Sequence, residues 1–335
     1  MIPALERRAM SWIPLTLCSA LVLGVYDLLR KAAVKENAVP PVLFLSVLTG
    51  SVVWLPLLAW SHFSPQTLPH PGLVVTSMDW TTHGLILIKA MIVSSSWVFA
   101  YFAVKHLPVT ISSPIRATSP VWTIMLALVF LGESPSVQQW IGIGTILLGF
   151  YTFTLAGKQE GIHFHRDKWV GFMVIAAIVA GCSGFYDRWL FLNTQLTPST
   201  VQCWFSIYLV IVLLPFLWAW TRGWLGSTPF QWRWSIPLVG LSLLVADLFY
   251  FSALTDPEAL ISVVSPIRRT AVIVSFIGGA LVYKERQIYR KAICLVILVF
   301  GVLILESASR KVGRESLEPS PPQSEPLKES PNQAN

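Results

Sequence analysis

Charge is what this chain lacks. Only 12% of its 335 residues are Asp, Glu, Lys or Arg, against about 25% in soluble domains. Hydrophobic residues make up 54%, and the mean hydropathy is +0.63. That balance excludes a water-soluble enzyme, and it excludes a DNA-binding protein despite the net charge of +7. Cysteine is equally scarce. Cys18, Cys182, Cys203 and Cys294 all fall in apolar stretches without a C-x-x-C or metal spacing, so they read as small buried hydrophobes, not as a disulfide scaffold. No G-x-x-x-x-G-K-[ST] loop is present, which removes ATP as an energy source within this chain. His62, His70, His83, His106, His163 and His165 sit in inter-span loops or near span ends. The one cluster among them, His163-Phe164-His165-Arg166-Asp167, reads as a solvated loop rather than a metal centre. No catalytic constellation remains, so the chain is expected not to be an enzyme and to need no cofactor.

What is present is length of apolar sequence. At roughly 20 residues per spanning helix, the hydrophobic content suffices for about ten spans. Runs long enough to cross occur near 11–30, 39–60, 83–104, 109–131, 137–156, 169–192, 197–220, 234–255, 260–282 and 288–306. Lipid offers backbone groups no hydrogen-bond partners, so each run is expected to be a helix. The first run follows MIPALERRAM without an A-x-A cleavage pattern, and so reads as a span and not a signal peptide. Fifteen tryptophans suit the aromatic belts at membrane surfaces. The segment 308–335 holds five prolines, many Ser and Glu, and no aromatic residue; it is expected to be a disordered tail.

The apolar region repeats itself. Ser113-Pro114-Ile115-Arg116-Ala117-Thr118 recurs as Ser265-Pro266-Ile267-Arg268-Arg269-Thr270, 152 residues later. At the same offset Glu133 matches Glu285, Ile141 matches Ile293 and Gly149 matches Gly301. Gly24-Val25-Tyr26-Asp27 recurs as Gly184-Phe185-Tyr186-Asp187 at offset 160. The chain therefore divides into a five-helix repeat at 11–156, a loop at 157–168 and a second five-helix repeat at 169–307.

Five spans per repeat is an odd number, so the second repeat must be inverted relative to the first. Loop charge agrees. The loops after the odd-numbered spans carry thirteen basic residues: Arg30, Lys31, Lys35, Lys105, Lys158, Arg166, Lys168, Arg222, Arg233, Lys284, Arg286, Arg290 and Lys291. The four loops on the other face carry none. Basic loops stay cytoplasmic, which places both termini outside, against the dissent of Arg7, Arg8 and the basic start of the tail. Topology and anionic headgroups account for the +7 balance, so the expected partners are the lipid bilayer and a small solute, with no nucleic acid.

Two five-helix halves, each with SPIR entering its fourth helix, a Glu beside the following short loop and a glycine in its fifth, resemble the drug/metabolite transporter superfamily. The closest resemblance is to its EamA-type ten-helix members. It is carried by SPIRATSPVWTIMLALVFLGESPSVQQWIGIGTILLGF and SPIRRTAVIVSFIGGALVYKERQIYRKAICLVILVFGVLIL, and covers essentially 11–307. Gly132-Glu133 in the first half against Lys284-Glu285 in the second is a small departure. The resemblance implies an all-α integral membrane protein in a cell membrane such as the bacterial inner membrane. It also implies a secondary transporter with a central cavity, exporting or exchanging a small polar metabolite such as an amino acid. The alternative it leaves open is a flippase for a lipid-linked head group.

An ionised side chain at the bilayer centre costs about 2.5–3.5 kcal/mol on insertion scales, so intramembrane charges mark the candidate site. Asp247 lies near the middle of the eighth span with no charged neighbour in sequence; it is expected to hold a cationic group or a coupling proton. Lys89, the basic residue well inside the third span, is expected to meet a substrate carboxylate or an acid such as Asp247. Arg116, Arg268 and Arg269 follow the Ser-Pro pairs and extend the positive ring. Trp97 completes the substrate-binding set, while Ser94, Ser95 and Ser96 beside it read mainly as small residues for close helix packing. Asp27 and Asp187, symmetry mates, are candidates for coupling or gating; local pairs with Arg30 and Arg188 would explain them more simply. Glu133 and Glu285 read as caps or loop ties.

Overall fold

With no water at membrane depth, a spanning chain must satisfy its own backbone, and helices do so locally. The computed structural model describes residues 12–68, 71–130, 166–225 and 228–256, residue 259, residues 261–283, and scattered positions in 136–152 and 289–307. Among the described residues there is helix and no strand. The helices are α1 (Trp12–Val34), α2 (Val39–Phe63), α3 (Trp80–His106), α4 (Val109–Ala117), α5 (Ser119–Phe130), α6 (Lys168–Asn193), α7 (Pro198–Thr221), α8 (Ser235–Leu254), α9 (Ile261–Arg269) and α10 (Ala271–Tyr283). Described positions within 137–152 and 292–304 are also helical. The tail at 308–335, the cluster at His163–His165, Glu133 and Glu285 lie outside the described residues.

Local chemistry starts and stops these helices. Asp79 and Asp167 accept from the backbone N–H groups of Thr81 and Trp169 at the starts of α3 and α6, and Thr197 accepts from Thr200 at that of α7. Pro40 and Pro198 occupy first-turn positions of α2 and α7, where a missing N–H costs nothing. At the end of α7, Gly223 takes φ +78° while its N–H bonds Trp220 and that of Trp224 bonds Ala219, the Schellman arrangement that glycine permits.

Six helices, α1, α2, α3, α6, α7 and α8, are each long and apolar enough to cross a membrane. The expected fourth and ninth spans depart from a single rod, for each is divided, at Thr118 and at Thr270. The two breaks are built alike. Thr118 bonds the carbonyl of Ile115 with both its N–H (3.2 Å) and its hydroxyl (2.7 Å), and its own carbonyl accepts from Val121 at 3.0 Å. Thr270 does the same with Ile267 (3.0 and 2.7 Å) and Ile273 (2.9 Å). Each turn tightens to i→i−3 bonding, leaving Arg116 or Arg268 in the last turn of the shorter helix.

The halves exchange their first helices. α1 packs on α8, α9 and α10 of the second half, and α6 packs on α3, α4 and α5 of the first, while α2 meets α7. Close approach depends on glycine at both crossings. A Cβ on Gly24 would lie 2.3 Å from the Val274 Cβ of α10, and one on Gly181 would lie 2.6 Å from the Trp122 Cβ of α5. The outer faces expose Leu17, Leu21, Leu55, Ile211 and Leu281, an apolar surface that requires lipid. Trp60, Trp80, Trp218 and Trp234 are exposed at helix ends, as the aromatic belts of membrane proteins require.

Candidate functional site

The exchange of first helices places Asp27 of α1 and Asp187 of α6 at the centre of the molecule, each buried. Asp27 carries two guanidinium groups, Arg30 at 3.0 Å and Arg116 of α4 at 2.5 Å. It also accepts from the hydroxyls of Ser113 (3.2 Å) and Ser275 (2.9 Å). The pair with Arg30 follows from i,i+3 spacing on one helix face. Arg30 and Lys31, counted in a loop on composition, belong to α1, and Arg30 is only 2% exposed.

Asp187 does not pair with its neighbour Arg188. Its carboxylate bonds the ammonium of Lys89 on α3, which also lies 4.5 Å from the ring centre of Phe205 and 4.7 Å from that of Phe251. Arg188 instead donates to the carbonyl of Leu254 at the end of α8. Lys31, in the first half, likewise donates to the carbonyls of Val104 and Leu107 at the end of α3. Adjacent helical residues point in different directions, so i,i+1 neighbours do not face each other.

Asp247, isolated in sequence, is bonded to Arg268 of α9. The Arg268 guanidinium lies 4.0 Å from the Tyr250 ring centre, and its Nε donates to the Ser19 hydroxyl at 3.1 Å. Lys89 therefore meets Asp187, and Asp247 meets Arg268; the expected Lys89–Asp247 contact is not formed. Nor is the expected positive ring bare, since Lys89, Arg116 and Arg268 each carry an acidic partner. Burying a charge without one is too costly.

These groups line one hollow between the halves, about 90 Å³ in volume. Asp247, Lys89, Arg116, Arg268, Arg269, Trp97 and Asp187 all border it. Asp27 borders a smaller adjoining hollow that shares Arg116, Arg268 and Arg269. Trp97 stands edge-on to Phe205 at 6.3 Å. Ser96 also borders the hollow, but its hydroxyl donates to the Ala176 carbonyl of α6 at 2.8 Å, and Ser94 and Ser95 bond back to Met91. The serines tie helices together, as their size suggests.

Sequence reasoning missed Arg30, Tyr250 and Phe251 as cavity residues. The repeated Tyr-Asp pair in α1 and α6 was a usable pointer to Arg30, one turn beyond Asp27. Nothing in the sequence singles out Tyr250 or Phe251 among the apolar residues around them. Among the described residues no three His, Cys, Asp or Glu side chains converge as a metal site would require.

The duplicated break, the exchanged first helices and the hollow between two halves describe a repeat architecture, and comparison with known proteins settles which. The profile of the EamA-like transporter family matches residues 10–155 and again 167–307. The chain belongs to the EamA-like transporter family. As a member it is a multi-pass membrane transporter and not an enzyme. A protein of Archaeoglobus fulgidus named "Uncharacterized transporter" is 24% identical over 251 residues, 74% of this chain and 84% of that one. A "Probable terminal-alkyne amino-acid exporter" of Streptantibioticus cattleyicolor is 25% identical over 194 residues, 52% of this chain and 62% of that one. A WAT1-related protein of Arabidopsis thaliana is 27% identical over 154 residues, 44% and 43% of the respective chains. The matched region thus spans less than two thirds of the last two relatives. One crystal structure superposes with a TM-score of 0.57 at 14% identity, covering 88% of this chain and 98% of that one, a likeness of fold alone.

Proposed function

We propose that this EamA-family protein is a secondary carrier for a small polar metabolite bearing a carboxylate, such as an amino acid, and that it works by alternating access. The observation that carries this reading is the hollow bordered by basic side chains from both halves: Lys89 and Arg116 from the first, Arg268 and Arg269 from the second. Charges at membrane depth face protein or a solute path because lipid cannot solvate them. A substrate site between two repeats lets the halves rock about a fixed centre. The finer topology belongs to the same proposal: ten spans in two inverted five-helix repeats, termini outside, and residence in a bacterial inner membrane. Similarity to a relative named as an amino-acid exporter supports the substrate class.

In this mechanism the carboxylate of the solute docks on Arg268, Arg269, Arg116 and Lys89, with Trp97 forming an apolar wall. A carboxylate that takes the Arg268 guanidinium releases Asp247, which then holds the amine of the solute or the coupling proton. Asp27 and Asp187 act as gating ties, since each links an exchanged first helix to α4 or α3. The test is counterflow in proteoliposomes. Labelled amino acid is expected to accumulate against an unlabelled internal pool, and Asp247→Asn to lose the pH dependence of the rate. A wild-type rate with unchanged pH dependence in that variant removes Asp247 from coupling. Flux of a lipid-linked sugar with no flux of any soluble solute would replace the carrier with a flippase.

A further inference from the structure

Resting on the carrier reading above, we infer that the hollow selects a solute with two anionic oxygen groups, an acidic amino acid or a dicarboxylate, over neutral zwitterions and cations. The argument is a charge inventory tied to positions. Five basic side chains border the hollow: Arg30, Lys89, Arg116, Arg268 and Arg269. Three carboxylates answer them, Asp187 and Asp247 in the hollow itself and Asp27 in the adjoining one. Among the described residues two positive charges remain in excess.

The excess has an address. Asp187 holds Lys89 and Asp247 holds Arg268, one cation each. Asp27 holds both Arg30 and Arg116, so one carboxylate serves two guanidinium groups. Arg269 has no carboxylate within ion-pair distance among the described residues, and it borders both hollows. The same two arginines carry unused donors, because the Nε atoms of Arg30 and Arg269 are buried without a hydrogen-bond partner. A buried donor left unsatisfied is costly, more so on a charged group. A solute that brings acceptors and negative charge removes both penalties at once.

The charge state of the solute then decides the fit. A neutral zwitterion leaves the excess as it was, and a cation adds to it, whereas a dicarboxylate cancels it and an acidic amino acid, with a net charge of −1, halves it. Guanidinium forks bind carboxylates through paired charge-assisted bonds. Arg30 belongs to α1 and Arg269 to α9, so two separate groups on the solute are addressed by different helices. An acidic amino acid still offers an ammonium to Asp247, which keeps the inference within the substrate class proposed above.

The experiment is a thermal-shift and competition series on the purified full-length protein in detergent. The probes are L-glutamate, succinate, inorganic phosphate, L-leucine and L-lysine, and the ligands that bind are then followed by counterflow in proteoliposomes. Glutamate or succinate is expected to bind at least about tenfold more tightly than leucine or lysine, the size of one charge-assisted hydrogen bond. Arg269→Gln is expected to remove that preference and Arg269→Lys to restore part of it. Phosphate binding in place of both succinate and glutamate would overturn the two-group inference, because one anionic group then suffices, while leaving the carrier intact. Leucine or lysine bound and transported as well as the anions overturns the inference while leaving the carrier intact. No binding or flux of any soluble probe overturns the carrier reading on which it rests. The wild-type series decides the point even if the variants do not fold.

Discussion

A carboxylate shared by two guanidinium groups, as Asp27 is between Arg30 and Arg116, cannot be altered without leaving charge stranded in the interior. The same holds for the one-to-one pair of Lys89 and Asp187, whose side chains are 2% and 6% exposed. Removing one member of a buried pair costs about 3–5 kcal/mol, while replacing both by apolar groups is often close to neutral. Lys89→Met is therefore expected to lower the thermal midpoint sharply, and the double variant Lys89→Met, Asp187→Leu to recover much of it. A double-mutant cycle in detergent checks this; a loss in the double variant equal to the sum of the Lys89→Met and Asp187→Leu losses would mean that the pair contributes nothing. Asp79, outside the spans, gives a residue-scale pH prediction. Its hydrogen bonds from the Thr82 hydroxyl and the Thr81 N–H hold its carboxyl below the ordinary carboxylate range. A depressed folded-state pKa stabilises above the unfolded value of about 4 and is lost as pH falls through the folded one. The midpoint gap between wild type and Asp79→Ala should shrink across that acid window, and a gap independent of pH would count against the cap. The candidate residues were legible in the sequence because charge stands out in an apolar run, and because Asp27 and Arg116 recur as Asp187 and Arg268. Their partners were not. Lys89 and Asp187 are 98 positions apart, and only the packing of α3 on α6 joins them.

At the scale of the helix, two glycines of α6 make a matched comparison. A Cβ on Gly181 would sit 2.6 Å from the Trp122 Cβ and 2.9 Å from the backbone oxygen of Ser119, whereas one on Gly171 meets nothing within 4 Å. Alanine exceeds glycine in helix propensity by about 0.8–1 kcal/mol, so Gly171→Ala is expected to be neutral or stabilising. Gly181→Ala is expected to push α6 off α5 and lower the midpoint, and similar behaviour of the two in a thermal scan would sink the close-packing account. Helix lengths were largely readable from the sequence, since expected and observed limits of α2, α3, α6, α7 and α8 agree within a few residues. The breaks at Thr118 and Thr270 were not. Pro120 removes an N–H just beyond the first break, but no proline lies at the corresponding place in 271–273. The shared cause is the threonine hydroxyl and the tightened turn, which compete locally with the next helical bond.

On the scale of the whole molecule, the proposed orientation of the transporter in the membrane rests on basic loops being retained in the cytoplasm. Gln66→Cys, in the exposed segment between α2 and α3, is expected to react with an impermeant maleimide in intact cells. Trp224→Cys, beyond α7 and 70% exposed, should react only after the membrane is opened. The reverse pattern would invert the orientation without touching the site. Composition by itself determined that the chain resides in a bilayer, because so little charge cannot cover a water-soluble surface. Repetition by itself determined that there are two halves. Only the tertiary structure decided that the first helix of each half lies in the other, which acid answers which base, and where positive charge is left over. Those outcomes depend on contacts between residues far apart in the chain, and a spacing rule reaches no further than the helix on which it is written.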